Sequence, residues 1–339
     1  MLRRQFLSIS GLALVGPAME WADTPAAPLI AAARGDRVTP ESVDLVETNI
    51  TALRRLDDAG SGTYALNATE SQLALVIHLL RDGRYDARIA KRLHSGLANL
   101  AQLAGYICQD HGDDARAQRY YLTALHAAHS ADDKASGAHI LSCMARQARR
   151  MGRPHEAQVL LGSALSRAAQ LSPGVRSLLT SRLARVHAEA GDESACGAAL
   201  NQAERLLDHA RREDEPDWLY WLIDAPVGFL QLNKGHCFAA FGISHLGRAE
   251  RYLDRGTTIR SAYPRDRAVD LPALAQVQRR RGEIDQACAT ATKAYKLCEQ
   301  TGTQRGLSAL RDFRARLPAT SHTPAIRDFL SLTHPTLAA

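Results

Sequence analysis

The 339 residues include 42 lysines and arginines against 36 aspartates and glutamates, giving a formal net charge of +6 and a pI of about 9.1. A balance of this size permits an acidic partner without requiring nucleic acid, and no run of like charges forms a tail. With 45% hydrophobic and 23% charged residues the chain reads as an ordinary soluble globular protein, rich in alanine and leucine and poor in β-branched runs, which favours helix throughout.

Residues 1–40 read as an arm, with turn signals at Gly16-Pro17, Pro25, Pro28 and Thr39-Pro40. Arg3-Arg4-Gln5-Phe6-Leu7 has a twin-arginine look and precedes a short apolar run from Ile9 to Ala18. That run is interrupted by Ser10, Gly11 and Gly16, and it falls short of the ~20 apolar residues that a membrane-spanning helix needs.

Residues 41–96 read as N-terminal helices. Val43, Val46, Ile50 and Leu53 form a stripe at helical spacing, with Thr39 or Glu41 near the cap. A second helix is expected from about Asn67 to Leu80, and a third begins near Ala87.

Residues 97–300 carry a recurrence. Gly112, Gly152, Gly191 and Gly282 each follow an apolar helical pattern and precede another. Seven residues before each stands Gly105, Ala145, Ala184 or Ala275; five after, Ala117, Ala157, Cys196 or Ala287; twelve after, Ala124, Ala164, Ala203 or Ala294. Small side chains at fixed offsets let two helices approach closely, and glycine supplies the left-handed backbone that ends the first helix. The pattern is that of tetratricopeptide-like hairpins, with a period near 40 rather than the usual 34. One further unit is expected between Gly191 and Gly282, from Gly235 to Arg255 with a turn near Ser244-His245. The fold class is therefore all-α: helical-hairpin repeats stacked in a right-handed superhelix, an α-solenoid.

The densest aromatic cluster, Trp218-Leu219-Tyr220-Trp221, reads as a core plug, with a ligand pocket as the alternative. Residues 301–339 read as capping helices: Gln304 to Leu317, with arginines on its outer face, and a short terminal helix from Pro324 to Leu332.

No phosphate-binding loop, dinucleotide fingerprint, zincin motif or nucleophile elbow occurs. Cys108, Asp110, His111 and Asp113 share one helix end but read as a hairpin turn, and adjacent His236 and Cys237 point apart on a helix. The six cysteines, none in a C-x-x-C pair, read as buried and reduced. No catalytic residue, metal site or cofactor is expected, so the reading is non-enzymatic.

In tetratricopeptide arrays the first helix of each hairpin lines the concave face. The inward positions by this mapping are Asn99, Gln102, Tyr106 and Gln109, then Ser142, Arg146 and Arg149, then Arg185, Phe238 and Phe241, and finally Gln276 and Arg279. Of these, Asn99, Gln102, Tyr106, Arg146, Arg149, Arg185, Phe238, Gln276 and Arg279 are the candidate ligand or peptide residues. Arginine forks suit carboxylates and phosphates, which points to an acidic or extended peptide or a chain terminus; a solvated helix face is the alternative.

Five stretches resemble the C-terminal repeat region of actinobacterial Xre-type helix-turn-helix transcriptional regulators: LRRLDDAGSG from Leu53, LAQLAGYICQDHGDDARAQRYYLTAL from Leu100, HILSCMARQARRMGRPHEA from His139, DWLYWL from Asp217 and the stretch from Arg265 to Leu297. The closing AIRDFL at Ala325 is similar as well. In such regulators an RRxFL segment lies between the DNA-binding domain and the repeats, so the resemblance implies that Arg3 to Leu7 is internal and not an export signal. The sequence shows no N-terminal helix-turn-helix, so direct DNA binding is not expected.

The resulting expectation is a cytoplasmic regulator or adaptor, acting in transcriptional regulation, that binds a protein or peptide in a concave groove. It has no membrane partner, and a homodimer is left open. The alternative is a repeat protein exported by the twin-arginine pathway that acts as a binding scaffold.

Overall fold

The computed structural model describes residues 37–60, 62–318 and 323–337. The twin-arginine-like segment and most of the N-terminal arm lie outside these. Among the described residues the chain forms helices α1 (Pro40–Asp58), α2 (Gly62–Asp82), α3 (Ala87–Asp110), α4 (Asp114–Ala131), α5 (Lys134–Arg150), α6 (Pro154–Leu165), α7 (Pro173–Glu189) and α8 (Glu193–Asp208). There follow α9 (Tyr220–Ile223), α10 (Pro226–Ala240), α11 (Leu246–Ile259), α12 (Pro264–Arg280), α13 (Ile284–Thr301), α14 (Gln304–Arg314) and α15 (Pro324–Leu337). No strand occurs among the described residues beyond one isolated bridge between Arg37 and Arg84.

The regular unit is a hairpin, α3/α4, α5/α6, α7/α8 and α12/α13, and each is built the same way. The turn glycine takes a positive φ: +82° at Gly112, +74° at Gly152, +77° at Gly191 and +86° at Gly282. The amide after each glycine returns to a carbonyl one turn back, as in Asp113 to Cys108 (3.0 Å) and Arg153 to Ala148 (2.9 Å). Asp113, Asp133 and Asp192 then cap following helices through their side chains. These glycines have open space around them, so it is backbone conformation that selects them.

Gly105 is selected differently: a Cβ there would stand 2.7 Å from the ring of buried Tyr121. The alanines at the other offset positions are buried against the facing helix in the same manner.

The inserted unit corrects one expectation. Its hairpin runs from Pro226 to Ile259, and it turns at Gly242, whose φ is +101°. Gly235 is not its start but its mid-helix contact position, seven residues before the turn, with Leu253 lying against it. A short 3-10 turn, Ile243–His245, lengthens the connection and shifts the small positions of α11 to Ala249 and Gly256, which takes this unit off the fixed offsets of the other four.

The aromatic insertion plugs the core with Trp218, Leu219, Tyr220 and Leu222, all buried. The indole of Trp218 stacks on His139 with ring centroids 4.2 Å apart. At the far end, α14 does not turn its first arginine outward: Arg305 points inward to buried Asp110. The terminal helix also extends to Leu337, beyond the Leu332 end expected from sequence.

All six cysteines are buried and unpaired. No helix among the described residues is long and apolar enough to cross a membrane.

The two ends of the array touch. Arg265, at the start of α12, pairs with Asp57 of α1 and with Asp110 of α3, the latter at 3.1 Å. Arg305 pairs with Asp110 and donates to the Tyr106 hydroxyl at 3.0 Å. The Tyr220 hydroxyl donates to Asp58. This clasp closes the solenoid around a central cavity.

Candidate functional site

The cavity measures about 680 Å³ and is walled by the first helices of the hairpins, by α1, by the aromatic insertion and by α14. Its register is set by the turns. Six residues before each turn glycine, Tyr106, Arg146, Arg185, His236 and Gln276 all line the wall. Nine residues before, Leu103, Cys143, Arg182, Asn233 and Ala273 do so too. These positions lie on one face because three residues make nearly a full helical turn.

Of the sequence candidates, Gln102, Tyr106, Arg146, Arg149, Arg185 and Gln276 meet in this cavity, and Asn99, Phe238 and Arg279 do not line it. Asn99 supports the wall from behind, its Oδ1 accepting from Arg54 at 3.0 Å. Phe238 stands four residues before Gly242 and faces away, stacked between Tyr252 and His245 with Arg248 4.0 Å above its ring. With Phe241 it lines a separate cavity of about 300 Å³ beside α8. Arg279 donates to Gln276 at 2.8 Å. Gln109 and Ser142 are buried behind the wall, where they accept from Arg146 (2.8 Å) and Arg182 respectively.

Sequence reasoning missed Arg54, Arg182, Asn233 and His236. The same six- and nine-residue offsets, applied at Gly242 as a fifth turn, would have found His236 and Asn233; applied at Gly191, they would have found Arg182. Arg54 comes from α1, outside the repeats, and carries no such signal.

Ten arginines line the cavity against five aspartates. Several are neutralised locally: Arg149 by Glu189, Arg260 by Asp266 and Arg305 by Asp110. Others are not. Among the described residues Arg54 donates to the amide oxygens of Asn99 and Gln102, Arg146 to Gln109, and Arg182 to Ser142 and Cys143, none of them a carboxylate. Arg185 makes no hydrogen bond or ion pair among the described residues.

Burial lowers the affinity of Arg54 and Arg182 for their protons. Burial, with Arg149 nearby, brings Arg185 down to about 10. His139, buried beneath Arg182, Arg54 and Arg146, is held well below the usual histidine range and is neutral. His236 Nε2 donates to the carboxylate of Asp270 at 3.0 Å, and burial pushes its pKa down too. A wall of desolvated guanidiniums facing polar but uncharged partners attracts anions.

The residues weighed for metal or catalysis are dispersed. His111 contacts the Ile107 carbonyl at 2.8 Å, Asp113 caps α4, Asp110 belongs to the clasp and Cys108 is buried in the apolar core. No group of three or more histidine, cysteine or acidic side chains could hold a metal ion among the described residues.

No family model matches the sequence, and no curated protein matches it. Among solved structures, a Rap protein complexed with Competence and Sporulation Factor is similar, with a TM-score of 0.53 at 13% identity over 86% of this chain and 87% of that one. The fold is that of a tetratricopeptide-like helical repeat protein. BtubC (BKLC) from P. vanneervenii is similar over 76% of this chain and 96% of its own, at 18% identity and a TM-score of 0.42.

Proposed function

We propose that the protein is a non-enzymatic regulatory adaptor that binds a short acidic peptide, or the acidic end of a protein partner, inside its central cavity. One observation carries this reading: Arg54, Arg146, Arg182 and Arg185 line a cavity of about 680 Å³ without a carboxylate partner of their own among the described residues. That volume lies within the range of ligand sites. Trp221 and Phe229 line the same wall and offer apolar contact beside the charges.

A chain of the same fold was solved in complex with a factor, which supports binding as the use of this architecture. The resemblance to Xre-type regulators supports transcriptional control as the process and the cytoplasm as the place.

The test is fluorescence polarisation of labelled random peptide pools with the full chain. We expect acidic pools to bind at low salt, and the combined Arg146→Ala, Arg182→Ala, Arg185→Ala variant to lose at least about tenfold for each charge-assisted bond removed. Equal binding by a folded variant and the wild type would sink the reading.

A further inference from the structure

We propose that the pocket between α1, α5 and α7 is a phosphoryl site, in which Arg54, Arg146 and Arg182 hold a dianionic phosphate-type group of the cavity's ligand. This deepens the reading of the cavity as a ligand site and rests on it.

Arg54 and Arg182 are linked through one sulfur. Cys143 Sγ lies 4.0 Å from Arg182 Nη1, 3.7 Å from Gln102 Nε2 and 3.8 Å from His139 Nε2. Gln102 in turn accepts from Arg54 at 3.1 Å. Arg146 is one helical turn beyond Ser142 and Cys143 on α5. All three guanidiniums act on the same imidazole, that of His139, which burial and their charge keep neutral.

The nearby carboxylates are already engaged. Asp57 and Asp58 are those closest in influence to Arg54, but Asp57 is taken by Arg265 and Asp58 by the Tyr220 hydroxyl. Among the described residues no carboxylate pairs with Arg182, and Arg146 is faced by Tyr106, Tyr121 and the further positive charge of Arg305.

Each guanidinium uses a single nitrogen in these bonds: Nη2 of Arg54, Nη2 of Arg146 and Nη1 of Arg182. Arg146 Nε and His139 Nδ1 are buried with no partner.

Donor geometry and charge choose the ligand class. Three planar forks border one cavity and share His139 as a neighbour, whereas a carboxylate offers two oxygens; a terminal phosphoryl offers three, and carries close to two negative charges at neutral pH. In a poorly solvated pocket of charge +3 the dianion removes more of the mutual repulsion than a monoanion. Shared by a phosphorylated peptide and a small phosphate ester, this chemistry identifies the group bound and not its carrier.

The probe is inorganic phosphate, titrated into the full-length protein by calorimetry and by thermal melts, with acetate at matched ionic strength beside it. We expect saturable phosphate binding, with a rise in melting temperature of about 2–4 °C at tenfold over the dissociation constant and none for acetate. Phosphate also stabilises proteins non-specifically, so the response must vanish in Arg182→Gln and weaken in Arg182→Lys, which keeps the charge and loses the fork.

Acetate matching phosphate, or Arg182→Gln responding like the wild type, would overturn the proposal. Peptide binding that phosphate does not compete would also overturn it while leaving the adaptor reading intact. Phosphate binding with no peptide binding in the polarisation assay would do the reverse. A phosphoserine-containing pool outcompeting its unphosphorylated counterpart, against a sugar phosphate at equal concentration, distinguishes the two carriers.

Discussion

Around the ring of Tyr106, Arg265 and Arg305 are paired with Asp57 and Asp110, whereas Arg146, with its guanidinium carbon 4.7 Å from the ring centre, donates to the amide oxygen of Gln109. Arg265 and Arg305 each lie 5.2 Å from that ring. Despite burial, the charges of Asp57 and Asp110 raise the pKa of Arg265 well above the usual value, while burial lowers those of Arg54 and Arg182 on the cavity side. The same residue type therefore serves two ends. Where a carboxylate meets it, it joins the ends of the solenoid; where none does, it leaves an electrostatic demand that a ligand can meet.

The strongest way to break this comparison is Asp110→Asn. Its side chain is 2% exposed and serves both Arg265 and Arg305, so the variant strands two buried cations and should lose about 3–5 kcal/mol in urea melts followed by circular dichroism. A loss below 1 kcal/mol would mean the clasp does not hold the ends. The clasp also has a pH signature. Burial pushes the Asp110 carboxyl up, but the charges of Arg305 and Arg265 outweigh it and hold the group well below its ordinary value. Its contribution is therefore present above about pH 4 and lost as pH falls toward the folded pKa.

Asp58 should show the opposite sign. Burial raises its carboxyl to about 6, with Asp266 and Asp57 adding to the effect against the Tyr220 hydrogen bond. The folded state thus holds the proton more tightly than the unfolded state. The stability this gives is present below about pH 4 and lost as pH rises through 6. Asp58→Asn should consequently stabilise the protein by about 1–2 kcal/mol at pH 7, with the difference from wild type disappearing below pH 4. A destabilised variant at pH 7 would show that the ionised carboxylate has a cationic partner after all.

Arg182→Gln sharpens the contrast from the cavity side. It removes a buried charge that has no counter-ion, so stability should stay within about 1 kcal/mol of wild type or rise, while anion binding is lost. A loss comparable to that of Asp110→Asn would erase the distinction between the two sets. The smallest effect is expected of Arg92→Ala. Its pairs with Asp44 and Glu47 have partners 64% and 48% exposed, so solvent screening limits the loss to about 0–1 kcal/mol, declining with salt.

Much of this architecture was legible in the residues themselves. Gly112, Gly152, Gly191 and Gly282 marked four turns because a left-handed backbone demands glycine locally, and Ala124, Ala164, Ala203 and Ala294 marked the contact faces because close helix packing tolerates little else. The turn at Gly242 was obscured by a single 3-10 turn, and with it the wall residues Asn233 and His236. Phe238 was placed on the wrong face for the same reason: an aromatic residue on a repeat helix gives no sign of its phase when the turn is misplaced by a few residues.

By itself, then, the sequence determined that the chain is a series of helical hairpins and which helix of each pair faces inward, because turns and nested contacts are local and repeat at fixed offsets. Only the tertiary structure decided which arginines are neutralised and which remain unmatched. Asp57 meets Arg265 across 208 residues, and Asp110 meets Arg305 across 195. Such pairings depend on how far the superhelix has turned when its ends come together, a sum of small rotations from one hairpin to the next that no local pattern encodes.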